Sequence, residues 1–353
     1  MPSPIDDRPG LLIRDSYGFS DVTLIIPPPV VPCLTCFDGE QTELDLRSRL
    51  VEITGQLEVG EFQAHLIQSL SSAGFLVDDV YEQLRAARQR EFAEASVRQP
   101  AHAGSAYPDD RTEVRGVLNE YLSGAKPYEA ADVIGIAAPH VSPFGGWKTY
   151  RNAFGLLSER YRDRTFIVLG TSHYGEPNRF GITRKPFVTP YGQSRADLSI
   201  IDELAEEPAA VVEDYCHAVE HSIEFRVLFL QHLFGADINV VPVLCGSYAM
   251  SIAGEESRRT TTRSSDFWAS SERFTRGERI YSGCSASTWL TWARVMAIRL
   301  KREQTPERWK RLPHAIVCES TGSTMETRRD SGHSCRKIAT TSSGAARRLS
   351  TRL

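Results

Sequence analysis

Residues 166–173 read FIVLGTSH. Four apolar side chains stand in a row, then small residues, then a histidine. A continuous apolar run, with no polar alternation, suits a strand that is covered on both faces. Two other stretches share this character, ADVIGIAAPH at 131–140 and INVVPVLCG at 238–246. Between and around them lie patterns of helical period: TEVRGVLNEYLSGA (112–125), WKTYRNAFGLLSERY (147–161), LSIIDELAEE (198–207) and HSIEFRVLFLQHLFG (221–235). Strands alternating with helices predict an α/β fold, a mostly parallel sheet with helices on both faces.

Two of these strands end in histidine, His140 and His173. Ligands of open α/β sheets bind beyond the carboxyl ends of the strands, so both imidazoles are expected at one rim. A third group, His217, Glu220 and His221 in HAVEHSIEF, opens a helix. Imidazoles with a carboxylate are ligands for zinc, iron or copper, and two histidines with one carboxylate form the open facial set of non-haem iron(II) sites. His140, His173, His221 and Glu220 are therefore the candidate catalytic residues, the three histidines the candidate metal ligands. Surface or packing roles are expected for His217, His232, His65 and His102. Ser172 and Ser222 lie outside any Gly-x-Ser-x-Gly elbow, which argues against serine catalysis.

The rest of the chain divides by composition. Residues 1–95 carry DVTLIIPPPVV, a strand stopped by proline, and three helical patterns ending in VDDVYEQLRAARQREFAEA. Short helices with one β ribbon predict a small winged-helix-like module. Residues 96–110, SVRQPAHAGSAYPDD, read as a linker, and residues 111–256 as the α/β domain. From Ser257 onward 17 Arg and 3 Lys face 8 acidic residues, a net charge of +12, while residues 1–256 carry −16. Cys33-x-x-Cys36 lacks a second pair that would complete a zinc site, and the scattered thiols of a seven-Cys chain point to a reducing, cytoplasmic setting. The acidic start and the proline-broken apolar runs predict neither a secretory signal nor a membrane span.

Six motifs, GSAYP (104–108), GIAAPH (135–140), FIVLGTSH (166–173), TPYG (189–192), EHSIEF (220–225) and VVPVLCG (240–246), together resemble the Memo family, called AmmeMemoRadiSam system protein B in bacteria and archaea. The resemblance covers about 104–250, and the module at 11–95 looks like the N-terminal extension of some bacterial members. It implies a fold similar to class III extradiol dioxygenases and bound iron(II) or copper at His140, His173 and His221, with redox or dioxygenase-like chemistry. It also implies partnership with a radical-SAM protein and an AMMECR-type protein. The competing reading is a non-catalytic cleft for a peptide, a small molecule or the radical-SAM partner. One departure is visible: the family usually has APHAGY-x-YSG where this chain has APHVSPFGGW.

A second departure follows VVPVLCG. The family continues to a strand ending in a motif such as DLAHMG, which adds a pocket ligand. Here 45 of the 97 residues from Ser257 are Arg, Ser or Thr, and four of the five tryptophans fall between Trp268 and Trp309. Reading each codon as the last base of one and the first two of the next, STWLTWARVMAI (287–298) permits DLAHMGARYGD. Trp292-Ala293 and Met296-Ala297 each force glycine. The reading frame is therefore expected to shift near residues 250–258, leaving 257–353 a disordered basic tail, with one strand and one ligand lost from the domain. The rival reading is a true basic tail for nucleic acid.

Overall fold

The computed structural model describes residues 9–128, 133, 135–247 and the strand Ile280–Cys284. The chain divides into two compact units, with the boundary between Arg88 and Gln89 inside one helix.

The first unit holds an antiparallel ribbon of β1 (Leu11–Arg14) and β2 (Thr23–Ile26). A 3-10 segment (Pro28–Phe37) follows, then helices α1 (Glu43–Thr54), α2 (Gly60–Ser72) and α3 (Asp79–Glu94). Thr42 starts α1 with a reciprocal cap to Asp45, and Gly55 stops it in the left-handed region at φ 69°. The core is made by Ile26, Val30, Cys33, Leu46, Leu50, Leu66 and Leu70. Cys33 is buried, and burial raises its thiol pKa above the ordinary value. That is the wrong direction for a nucleophile, so this cysteine packs.

In the second unit, α4 (Arg111–Leu122) is followed by β3 (Gly135–Ala138), α5 (Pro143–Phe154) and β4 (Thr165–Thr171). Next come β5 (Phe180–Ile182), a tight hairpin of β6 (Val188–Thr189) and β7 (Gly192–Gln193), and β8 (Arg195–Ala196). Then α6 (Leu198–Ala205), β9 (Ala210–Val212), α7 (Cys216–Val219), α8 (Glu224–Phe234), β10 (Asn239–Cys245) and β11 (Ile280–Cys284) complete the described residues. The sheet order is β3-β11-β4-β10-β5-β9, with β8 also on β10. Pairing is parallel except between β5 and β10.

Alternate residues of the central strands feed two separate cores. Phe166 and Val168 of β4, with Val240 and Leu244 of β10, join a core with Leu118, Phe154 and Phe229 from α4, α5 and α8. Ile167 and Leu169, with Val241, Val243 and Cys245, join a second core with Ile200, Ile201 and Leu204 of α6. This is the two-faced burial expected of an unalternating apolar strand. Each such side chain contributes roughly 1.5–3 kcal/mol of burial free energy. No helix among the described residues is long and apolar enough to cross a membrane.

Two expectations are corrected. Residues 96–110 do not behave as a linker. Arg98 and Tyr107 are buried in the second unit, at 1% and 5% exposure. The small-residue composition misled because the ordering interaction is long-range. Arg98 Nη1 is ion-paired with Glu224 of α8, and both side chains are fully buried. Glu224 also accepts hydrogen bonds from the Tyr107 hydroxyl and from the backbone N–H groups of Ala101 and His102, both 3.0 Å. The rest of the Arg98 fork donates to the carbonyls of His217 (2.8 Å) and Glu220 (2.9 Å).

The second correction concerns the sheet. Ile280–Cys284 of the expected tail forms a parallel strand between β3 and β4, with Cys284 opposite Ala138 and Gly283 opposite Leu169. The missing strand's slot is thus occupied. The remainder of 257–353, its tryptophans included, lies outside the described residues.

Removing one partner of a buried, hydrogen-bonded ion pair leaves an uncompensated charge. Glu224→Gln is expected to lower unfolding free energy by about 3–5 kcal/mol in urea titrations. The double change Arg98→Met with Glu224→Leu removes the bare charge but leaves the Tyr107 hydroxyl and the Ala101 and His102 N–H groups without their acceptor, so it should recover only part of that loss. A loss below about 1 kcal/mol for Glu224→Gln would show that the pair does not hold this segment.

Candidate functional site

The site lies where β3 and β4 end. His140 follows β3 by two residues, and His173 follows β4 by two residues. The turn between α7 and α8 brings Glu220 and His221 to the same rim. Parallel strands present their following residues side by side, so two positions distant in sequence meet in space.

The structure brings all four sequence-predicted residues together. The Nε2 atoms of His140 and His173 are 2.9 Å apart. Ring centroids are 4.7 Å apart for His140 and His173, 4.6 Å for His140 and His221, and 5.5 Å for His173 and His221. Glu220 stands behind this group. Its side chain is 1% exposed, against 42% for His173. It accepts from the His173 backbone N–H, and its Oε2 lies 3.0 Å from His173 Nδ1. A carboxylate on one ring nitrogen fixes the tautomer, leaving the other nitrogen as a lone pair. His173 Nε2 thus faces His140 as a donor atom. One ligand atom each from His173, Glu220 and His221 can be chosen within 4.8 Å of one another, a spacing that an ion could bridge.

Burial lowers the pKa of His140 to about 4, helped by the charge of Arg226 and the neighbouring His173. Burial likewise lowers His221 to about 3, helped by His140, His102, His173 and Arg226. Both rings are neutral at pH 7 and hold free lone pairs. Among the described residues, His140 Nδ1 is buried without a hydrogen-bond partner.

The altered APHVSPFGGW stretch shapes one wall. Ser142 caps α5 and Pro143 occupies its first turn. A Cβ on Gly146 would come within 2.6 Å of a Val141 methyl and 3.3 Å of Pro139, so glycine there lets α5 close onto the turn carrying His140. Phe144 is 79% exposed and Val141 48%, giving the rim an apolar lip.

Other residues take packing and bracing roles. His102, expected at the surface or in packing, lies edge-on to His221 with ring centroids 5.7 Å apart, and its Nε2 is 2.9 Å from the Val219 carbonyl. His217 is buried, its Nε2 3.1 Å from the Gly181 carbonyl. Ser222 donates to the Thr171 carbonyl at 2.8 Å and so braces the end of β4. Arg226, buried against Pro139, went unnoticed because one arginine inside an apolar helix breaks no period.

With this geometry in place, the profile of the Memo-like protein family matches residues 98–274, half of the chain. The chain belongs to the Memo-like protein family. A MEMO1 family protein of Aquifex aeolicus is 27% identical over 246 residues, covering 68% of this chain and 63% of the relative. One from Ignicoccus hospitalis is 31% identical over 173 residues, 44% of this chain and 59% of the relative. One from Methanococcoides burtonii is 28% identical over 150 residues, 42% and 55%. The matches thus span less than two thirds of these relatives' own length. The family profile begins at Arg98, the residue that locks onto Glu224.

Two histidines outside the rim, His217 buried and His232 half-buried, predict an acid response. Burial holds His217 and His232 at about 4, below the unfolded value of about 6.5. Between those values the unfolded chain binds more protons, so stability is full above about pH 6.5 and falls as pH drops toward 4. Urea midpoints measured from pH 7 to 4.5 should decline, and His232→Gln should flatten part of the decline. An unchanged slope in that variant would remove His232 from the account.

Proposed function

We propose that this Memo-like chain holds a transition metal, iron(II) or copper, at His140, His173 and His221. The observation that carries the reading is the 2.9 Å approach of two imidazole Nε2 atoms. One of them has its tautomer set by a buried carboxylate on the far side. Two imidazoles on one ion at about 2.0–2.1 Å stand about 3 Å apart, so the residues fit the group. Neutral imidazoles are the donors such metals take. Glu220 acts from behind, orienting His173.

A bound iron or copper ion would supply redox chemistry with an open position for substrate or oxidant, in the manner of a dioxygenase-like site. The chain's own residues position and shield: Glu220 fixes His173, the buried surroundings keep His140 and His221 unprotonated, and Val141 and Phe144 form an apolar lip. That lip also favours a second reading, a cleft that recognises a peptide or small molecule without turnover. The antiparallel ribbon and three helices of the first unit support a winged-helix-like adaptor. Its partner would be a radical-SAM or AMMECR-type protein in the cytoplasm.

We read the frame beyond about residue 256 as shifted. β11 ends between the strands that lead to His140 and His173, so the histidine of the alternative DLAHMG reading would enter the same rim as a further ligand.

Anaerobic equilibrium dialysis of the full chain with iron(II), and separately with copper, tests the site. One ion per chain is expected, lost in His140→Ala and in His173→Ala, and weakened about 10–100-fold in Glu220→Gln. Undiminished binding in the His140→Ala/His173→Ala double variant would overturn it. Ligand retention in the cleft with no metal uptake by the wild type would favour the binding module.

Correcting one base near codons 250–258 is expected to raise metal affinity and thermal stability together. A corrected chain that gains neither would refute the frame reading.

A further inference from the structure

α8 reaches the rim twice. His221 precedes it, and Arg226 stands on its first turn. Arg226 is fully buried. Its Nη2 donates to the carbonyls of Ala138 (3.3 Å) and Pro139, the two residues before His140. Its Nη1 donates to the Tyr150 hydroxyl at 3.3 Å, and that hydroxyl donates to the Val141 carbonyl, just after His140, at 3.0 Å. The guanidinium also lies over the Tyr150 ring, 5.6 Å from its centroid. Tyr150 is itself immobilised by a stacked Phe229 ring at 4.5 Å.

We propose that Arg226 and Tyr150 together are positioning residues for His140, clamping the main chain on both sides of it. The carbonyl groups of Ala138, Pro139 and Val141, which flank one imidazole, need donors where the strand end turns away from the sheet ladder. A planar guanidinium can serve two of them and a hydroxyl at once; a lysine ammonium, a compact point charge, cannot reproduce that fork. Among the described residues the hydrogen-bond partners of Arg226 are all neutral, and its Nε is buried without a partner. A buried cation with no carboxylate is unfavourable, so the clamp carries a stability penalty that a neutral core residue would avoid. Through α8, the clamp also ties the His140 turn to the segment that carries His221. The proposal rests on the reading that the imidazoles share a ligand only for its consequence; the restraint on His140 exists without any ion.

The test uses the full chain with Arg226→Met, Arg226→Lys and Tyr150→Phe. Three readouts are taken: thermal melting, the ¹H–¹⁵N imidazole resonances of His140 in metal-free protein, and affinity for cobalt(II) alone. Both Arg226 variants should shift or broaden the His140 resonances and weaken cobalt about 10–100-fold, with lysine failing to rescue. Tyr150→Phe keeps the fork on Ala138 and Pro139, so it should move the same resonances by less. Should an Arg226 variant not fold, Tyr150→Phe decides alone. Unmoved His140 resonances in a folded Arg226→Met or in Tyr150→Phe overturn the clamp, whatever happens to the melting temperature. If wild type takes up no cobalt while the His140 resonances move in the variants, the clamp stands and the metal reading falls.

Discussion

The buried carboxylate of Glu224 is the constraint on which the second unit turns. It takes the Arg98 guanidinium, the Tyr107 hydroxyl and two backbone N–H groups. Burial alone would raise its pKa, but the charge of Arg98 and the bonds from Tyr107 and Arg98 outweigh that and keep it ionised. Those same partners deliver His102 to the ring of His221. Arg98 in turn holds the carbonyl of Glu220, whose side chain orients His173. One charge in the first turn of α8 therefore fixes the strand-end turn, the helix start and the segment preceding α4. Without it, the polar segment from Arg98 to Tyr107 has little apolar surface with which to stay folded against the domain.

Much of this could be read from the residues. The apolar continuity of FIVLGTS and NVVPVLC marks strands with two buried faces, and both are central in the sheet. Histidines placed at strand ends converge because parallel strands begin and end together. What escaped reading has a common cause. Arg98, Tyr107 and Arg226 act on partners far away in sequence, and a single polar residue leaves no periodic trace. The sheet position of Ile280–Cys284 escaped for a different reason. A parallel ladder is made by backbone, and a Ser- and Arg-rich neighbourhood conceals a five-residue strand whose pairing asks little of its side chains.

The rim combines two opposed tendencies. Burial keeps His140 and His221 neutral, so they present lone pairs rather than charge. Arg226 sets a fixed positive charge close behind them, while Glu220 places a negative one behind His173. The imidazoles thus stand between a buried cation and a buried anion, on a surface that is half open to solvent at His173. Such an arrangement holds donor atoms in place before any ligand arrives, and limits reorganisation when one does.

The position of β11 also bears on how the domain is assembled in time. β3 and β4 are close in the chain, yet the strand that separates them is synthesised only after β10 and the stretch beyond it. During translation the facing edges of β3 and β4 therefore remain open, with unpaired N–H and C=O groups next to the nascent site. Contacts of such long sequence separation slow folding and prolong exposure to aggregation. The spacing of His140 and His173 is therefore expected to settle only once β11, the final strand among the described residues, enters between β3 and β4.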